Sequence, residues 1–286
     1  MTEIRTIGVI GLGAMGAGIA QLALEAGYDT VGREVSDELG HAARERIGHF
    51  LNRKVEKGQL AEGDREAAMG KLTVTSDLDG LADCDLVIEA IVEALEPKQT
   101  LFAELDRICR PDAVLATNTS ALSVTEIAAA TSRPERVVGM HFFNPAPLMP
   151  LVEIVRAELS SDAAVDAAAA VGERMGKQVV RCHDTPGFVV NRVLIPLLND
   201  CVRVLDEARV TPESLDVAMK GGAGWPMGPC TLVDLIGIDV HVHAAEALYE
   251  KLREPRMAAP PRLVAMKNAG LLGRKSGRGF YVYPPR

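Results

Sequence analysis

Along the first part of the chain, short apolar runs alternate with longer stretches of helical period. Thr6-Ile7-Gly8-Val9-Ile10 has the β-branched composition of a strand buried on both faces. Met15 to Ala26 follows with helical spacing, and Gly27 stands just past its end as a stop. Asp29 to Arg33 predicts a second strand, interrupted by Gly32. A polar helical stretch from about Ser36 to Lys57 ends at Gly58. A second, Glu62 to Lys71, is placed to fold back on it, giving a helical hairpin over about residues 36–71. Further strands are predicted at Leu72–Thr75, Asp85–Glu89, Ala113–Thr117, Arg136–Met140 and Leu151–Val155, with helices between them. The helix after Ser120 opens on a capping box, Ser123-Val124-Thr125-Glu126. This alternation predicts an α/β fold built on a Rossmann-type, doubly wound parallel sheet.

The pattern changes after Asp184-Thr185-Pro186-Gly187. From there to Leu252 the periodicity is helical, punctuated by Gly and Pro, and Thr211-Pro212-Glu213 reads as a helix start. The expected division is a sheet domain over residues 1–184 and an all-helical domain over 185–286. A length of 286 residues agrees with two domains at roughly 150 residues each.

Composition narrows the class. Hydrophobic residues at 48% and charged residues at 24% exclude disorder and fibrous repeats. A net charge of −8 argues against a general nucleic-acid binder. Five scattered cysteines without a C-x-x-C pair read as reduced thiols in a cytoplasmic protein, not as a zinc site. The uncharged run Thr6 to Leu24 contains five glycines and nothing else approaches the ~20 apolar residues of a membrane span. No membrane association is expected.

Gly11-Leu12-Gly13-Ala14-Met15-Gly16 follows a predicted strand and opens a predicted helix, the context of a dinucleotide fingerprint. The glycines allow a tight turn, close approach of a pyrophosphate and helix–strand packing, with the helix N-terminus facing the phosphates. Glu34, at the end of the second strand, is placed to accept bonds from a ribose and to repel a 2′-phosphate, which favours NAD. Its neighbour Arg33 leaves a route to NADP. The competing reading of the motif is a glycine-rich structural turn.

A second group comprises Asn118-Thr119-Ser120, His141-Phe142-Phe143-Asn144-Pro145 and Glu153, each expected at or just beyond a C-terminal strand end. Hydride leaves a carbinol carbon only as the hydroxyl proton departs, and an imidazole with a pKa near ~6.5 suits that proton. A carboxylate on its far nitrogen fixes the tautomer, and Glu153 is the natural candidate. Ser120 and Asn144 are placed to hold substrate oxygens. His41 and His49 fall on a polar helix, and His241 and His243 face apart on another, so no metal site is expected.

These residues carry a resemblance to the short-chain L-3-hydroxyacyl-CoA dehydrogenase family, most closely to its bacterial 3-hydroxybutyryl-CoA members. The matching stretches are Gly11–Ala20, Asp85–Glu93, Thr117–Leu122, Gly139–Pro147, Leu151–Ile154, Thr185–Arg192, Pro226–Pro229 and Leu272–Tyr281. The resemblance implies His141 as catalytic base, Glu153 as its partner, and Ser120 and Asn191 on the substrate oxygens. It implies NAD contacts from Gly11, Gly13, Ala14, Met15, Gly16, Glu34, Glu93, Lys98, Ser120, Asn144 and Lys275. The helical hairpin becomes a clasp for the 3′-phosphate of an acyl-CoA substrate, with Lys57 at the matching position and Arg53 on the same helix face. For these two the alternative is a solvated charged face. Two departures stand out: Ala121 replaces a frequent second serine, and Glu34 replaces the more usual aspartate. Relatives pair through the helical domain, where Val202, Leu205, Leu215, Ala218 and Met219 offer apolar surface, so a homodimer is expected. Two other readings remain: a hydroxyacid or sugar-acid dehydrogenase of similar build, and a non-catalytic NAD(H)-binding protein.

Overall fold

The computed structural model describes residues 3–284. The chain divides into two units, one ending at Thr185 and the other beginning at Pro186. The first opens with β1 (Thr6–Ile10), α1 (Ala14–Glu25), β2 (Asp29–Arg33), the hairpin helices α2 (Asp37–Glu56) and α3 (Glu62–Gly70), and β3 (Leu72–Thr75). It continues with β4 (Leu86–Glu89), α4 (Leu95–Ile108), β5 (Val114–Thr117), α5 (Val124–Ala128), β6 (Val137–Phe142), β7 (Leu151–Arg156), α6 (Asp162–Arg174) and β8 (Gln178–His183).

The eight strands lie in one sheet of order β3-β2-β1-β4-β5-β6-β7-β8. All neighbours are parallel except β6 and β7. The central strands β4, β5 and β6 are buried along their whole length, which is why they read as unbroken apolar runs. Helix ends follow local chemistry. Ser36 caps α2 by accepting from Leu39 N, and Gly27 and Gly58 take positive φ just past α1 and α2. Ser123 caps α5 through Glu126 N, and its own hydroxyl donates to Asp184.

Three features correct the sequence-based expectation. The sheet is not wholly parallel: β7 reverses. The link from Phe142 to Leu151 contains only eight residues, too few for the crossover of a dozen or more that a parallel neighbour needs. β8 was not expected at all, because this edge strand (Gln178-Val-Val-Arg-Cys-His) leaves four of its six positions exposed and lacks an apolar run. β6 also runs on to Phe142, so His141 lies inside the strand, not beyond it.

The second unit is helical: α7 (Val190–Glu207), α8 (Pro212–Ala223), α9 (Pro229–Ile236), α10 (Ile238–Leu252) and α11 (Pro261–Asn268). Leu198, Val202, Val233, Ile238, Val242 and Leu263 form its main cluster, and Cys201, Leu205, Leu215 and Cys230 a second. Val202, Leu205 and Leu215 therefore belong to this unit's own core and supply no surplus surface. Among the described residues no helix is long and apolar enough to cross a membrane.

Candidate active site

Two of the three motif glycines are demanded by the turn between β1 and α1. Gly11 takes φ 79°, and a Cβ there would lie 2.8 Å from the Ala90 carbonyl oxygen. A Cβ at Gly16 would fall 1.8 Å from the Gly11 carbonyl oxygen. Gly13 differs: a Cβ there meets nothing within 4 Å, and as N-cap of α1 it makes no side-chain hydrogen bond. Gly13 and Ala14 are exposed, with Met15 half-buried behind them. An uncapped, open helix start fits a pyrophosphate. Glu34 stands beside it: Leu12 N donates to its Oε1 (2.6 Å) and Val35 N to its Oε2 (3.1 Å). Arg33 is turned to the Ser76 carbonyl (3.3 Å). These residues fit a dinucleotide with an unphosphorylated ribose.

His141 and Glu153 are direct partners in the antiparallel β6–β7 register. His141 Nδ1 lies 2.7 Å from Glu153 Oε2, with Glu153 wholly buried and His141 5% exposed. A buried carboxylate at Nδ1 keeps the proton on that nitrogen, so exchange with a substrate falls to Nε2. Phe143 packs on the imidazole at 4.5 Å between ring centroids. Asn118 Oδ1 accepts from Phe142 N (3.0 Å), tying the end of β5 to β6. Glu153 is not at a C-terminal strand end, as expected from sequence, but third in β7. Because β7 runs backwards, its early residues sit beside the late residues of β6.

Ser120 lies in the loop after β5, and that loop is wrapped around Glu93. Glu93 Oε1 accepts from Thr119 Oγ1 (2.6 Å), Ser120 N (2.8 Å), Ala121 N (3.2 Å) and Ser120 Oγ (3.3 Å). Burial works to raise the Glu93 pKa, but the nearby Lys98 ammonium and these hydrogen bonds outweigh it and hold the carboxyl below its ordinary value. Lys98 itself is buried, donating to Glu89 Oε1 (2.5 Å) and standing 3.4 Å from Glu93 Oε2. Glu89, Thr117 and Lys177 were not singled out from the sequence. The available signal for Glu89 was an acid closing the otherwise apolar strand Leu86-Val-Ile-Glu.

Asn144 is exposed in the turn after β6, a turn held by Lys177, whose Nζ donates to the carbonyls of Ala146 (2.7 Å) and Met149 (2.8 Å). Arg53 and Lys57 are exposed at the C-terminal end of α2, where cations also complement the helix dipole. The second unit carries the other two candidates. Asn191 lies in the first turn of α7, after Gly187 and Phe188, both at positive φ. Lys275 donates to Asp239 Oδ2 at 2.6 Å. No group of three or more His, Cys, Asp or Glu side chains suited to a metal occurs among the described residues.

A glycine cradle and a His–Glu pair on one doubly wound sheet define a nicotinamide-nucleotide dehydrogenase. Residues 6–185 match the family model for the 3-hydroxyacyl-CoA dehydrogenase NAD-binding domain, and residues 187–283 that for the 3-hydroxyacyl-CoA dehydrogenase C-terminal domain. The chain belongs to the 3-hydroxyacyl-CoA dehydrogenase family, and its activity is NAD-dependent oxidation and reduction of that class. The hydroxyacid, sugar-acid and non-catalytic alternatives are set aside. The chain is 46% identical to a 3-hydroxybutyryl-CoA dehydrogenase of Mycobacterium tuberculosis (strain ATCC 25618 / H37Rv), over 98% of this chain and 99% of that one. It is 38% identical to the hydroxyacyl-coenzyme A dehydrogenase of Sus scrofa mitochondria, over 98% and 91% of the two chains. The crystal structure of (S)-3-hydroxybutyryl-CoA dehydrogenase PaaH1 from Ralstonia eutropha superposes with a TM-score of 0.95 at 38% identity, covering 99% of this chain and 100% of that one.

Proposed function

We propose that the substrate pair is (S)-3-hydroxybutyryl-CoA and acetoacetyl-CoA, and that His141, Glu153, Ser120 and Asn191 carry the reaction. The observation behind the chemistry is the buried 2.7 Å contact of His141 Nδ1 with Glu153. In the oxidising direction His141 Nε2 takes the C3 hydroxyl proton as the C3–H bond breaks, and Glu153 stabilises the imidazolium that forms. NAD⁺, when bound, supplies the acceptor for the hydride leaving C3. Ser120 and Asn191 hold the substrate oxygens. Gly11, Gly13, Ala14, Met15, Gly16, Glu34, Glu93, Asn144 and Lys275 hold the cofactor, and the buried Lys98 acts through Glu93. Arg53 and Lys57 meet the coenzyme A phosphate. The short acyl chain is supported by the near full-length similarity to enzymes named for 3-hydroxybutyryl-CoA.

The test is NADH consumption with acetoacetyl-CoA. His141→Gln is expected to lose ~10²–10⁴-fold in kcat, the usual value of general acid–base catalysis, with NADH affinity unchanged. A folded His141→Gln protein with wild-type kcat overturns the assignment. Faster turnover of long 3-oxoacyl-CoA substrates overturns the short-chain part.

All five cysteines are free thiols, which accords with a reducing cytoplasm. The helical unit exposes Val193, Val217, Leu235 and Val240 at 45–64%, a set that supports homodimerisation through this unit.

A further inference from the structure

Glu89 has no part in the chemistry derived above, yet it is among the most buried charged groups of the protein. It ends β4 and is paired in register with Ile10 of β1 and Thr117 of β5, with 0% of its surface exposed. Both carboxylate oxygens are engaged. Oε1 accepts from Lys98 Nζ (2.5 Å) and Ile91 N (2.7 Å), and Oε2 from Thr117 Oγ1 (2.7 Å). Lys98, 1% exposed near the start of α4, also faces Glu93 Oε2 at 3.4 Å. Glu93 in turn grips the hydroxyl of Thr119, both polar groups of Ser120 and the amide of Ala121. A line of charged contacts, hydrogen bonds joined by the Lys98–Glu93 ion pair, thus runs from the middle of the sheet to Ser120.

Core stability does not call for such a line. A buried ion pair is commonly no better for stability than well-packed apolar side chains of the same volume. What an ion pair supplies is directed geometry, and here every bond it makes converges on two turns. The Ile91 amide bond shapes the turn that leads to Glu93. The Thr117 bond fixes the last residue of β5, three positions before Ser120. Lys98 joins Glu89 to Glu93, so movement at Glu89 passes to the carboxylate around which the Ser120 loop is folded.

We infer that Glu89 is a positioning residue for the reaction: acting through Lys98 and Glu93, it aims the Ser120 hydroxyl at the substrate oxygen. This rests on the reading of Ser120 as a substrate-binding residue. Removing the Glu89 charge leaves Lys98 with Glu93 as its remaining carboxylate and draws that side chain toward α4. The amides and hydroxyls of the Ser120 loop then lose their common acceptor geometry. Displacement of a positioning group by about 1 Å costs up to ~10²-fold in rate.

The experiment uses the full-length protein in four forms: wild type, Glu89→Gln, Ser120→Ala and the double variant, assayed well below their thermal midpoints. Glu89→Gln is expected to lower kcat/KM for acetoacetyl-CoA by about 10- to 100-fold. In the Ser120→Ala background the same change is expected to cost almost nothing further, because its effect travels through Ser120. Thr117→Val, which keeps the shape but removes one bond to Glu89, is expected to act in the same direction, less strongly and with the same coupling. A Glu89→Gln protein with a lowered midpoint and wild-type kcat/KM overturns the inference, as does a double variant in which the two losses multiply. If Glu89→Gln does not fold, the Thr117→Val and Ser120→Ala cycle decides on the same criterion. Wild-type kinetics in Ser120→Ala alone would instead refute the role given to Ser120, and this inference with it.

Discussion

His241 makes the stability of the helical unit depend on pH in a way that can be worked from its surroundings. It lies on α10 with 0% exposure, and its Nε2 is 2.9 Å from Asn199 Oδ1. The Asn199 amide nitrogen faces the carbonyls of Arg256, Met257 and Ala258, so its oxygen faces the imidazole and Nε2 carries the proton. Nδ1 is buried with no hydrogen-bond partner. Charging the ring would place an unsatisfied N–H in the core, and burial accordingly pushes the pKa from 6.5 down to about 4. The unfolded chain then binds more protons between those values. Stability is full above about pH 6.5 and falls as pH drops toward 4, by about 3 kcal/mol in total at ~1.4 kcal/mol per unit. Trp225 is the sole tryptophan and packs against clusters of this unit, so its emission in urea reports the unit directly. Between pH 7.5 and 5 the wild type is expected to lose about 2 kcal/mol from this group. His241→Gln is expected to start less stable yet lose correspondingly less over the same interval. Equal pH slopes for the two proteins would refute the reasoning.

Two other expectations follow from particular contacts. Gly13→Ala is expected to fold normally, since its Cβ meets no protein atom, but to weaken NADH binding. Gly16→Ala is expected to lose stability outright, because its Cβ overlaps the Gly11 carbonyl. Thermal midpoints and NADH titration of both variants separate the two, and normal NADH affinity in Gly13→Ala counts against the cradle. Sedimentation at micromolar concentration is expected to give a dimer that Val217→Asp weakens, whereas a monomeric wild type overturns the assembly.

Much of the architecture was legible because the elements differ sharply in local chemistry. Short apolar or β-branched runs named seven strands, of which β2 and β3 are only partly buried, and Gly27 and Gly58 marked where helices stop. β8 was hidden because an edge strand need not be apolar. The direction of β7 was hidden from periodicity, which is the same for a strand read either way, though the short link before it held the answer. The Glu89–Lys98 pair was hidden for a different reason. Charged side chains read as surface unless their partners are known, and these two are nine residues apart on a strand and a helix.

The reversal of β7 ties these points to function. The sheet brings the late residues of β1, β4, β5 and β6 to one edge, and with them the glycine turn, Glu89, the Ser120 loop and His141. A parallel β7 would present a late residue at that edge and would need a long crossover in front of it. The antiparallel strand instead brings Glu153 back after eight residues, as the direct register partner of His141. Cross-strand neighbours have Cβ atoms about 4.5–5.5 Å apart, a span that a histidine and a glutamate close in one hydrogen bond. The His141–Glu153 pair is therefore held by the β6–β7 ladder, with β8 paired on the far side of Glu153, and not by a loop. The Ser120 loop lacks that ladder support, and the carboxylate of Glu93 supplies its hydrogen bonds in its place. Rigid support thus reaches His141 through strand pairing and the Ser120 loop through buried charge, two devices serving one edge of one sheet.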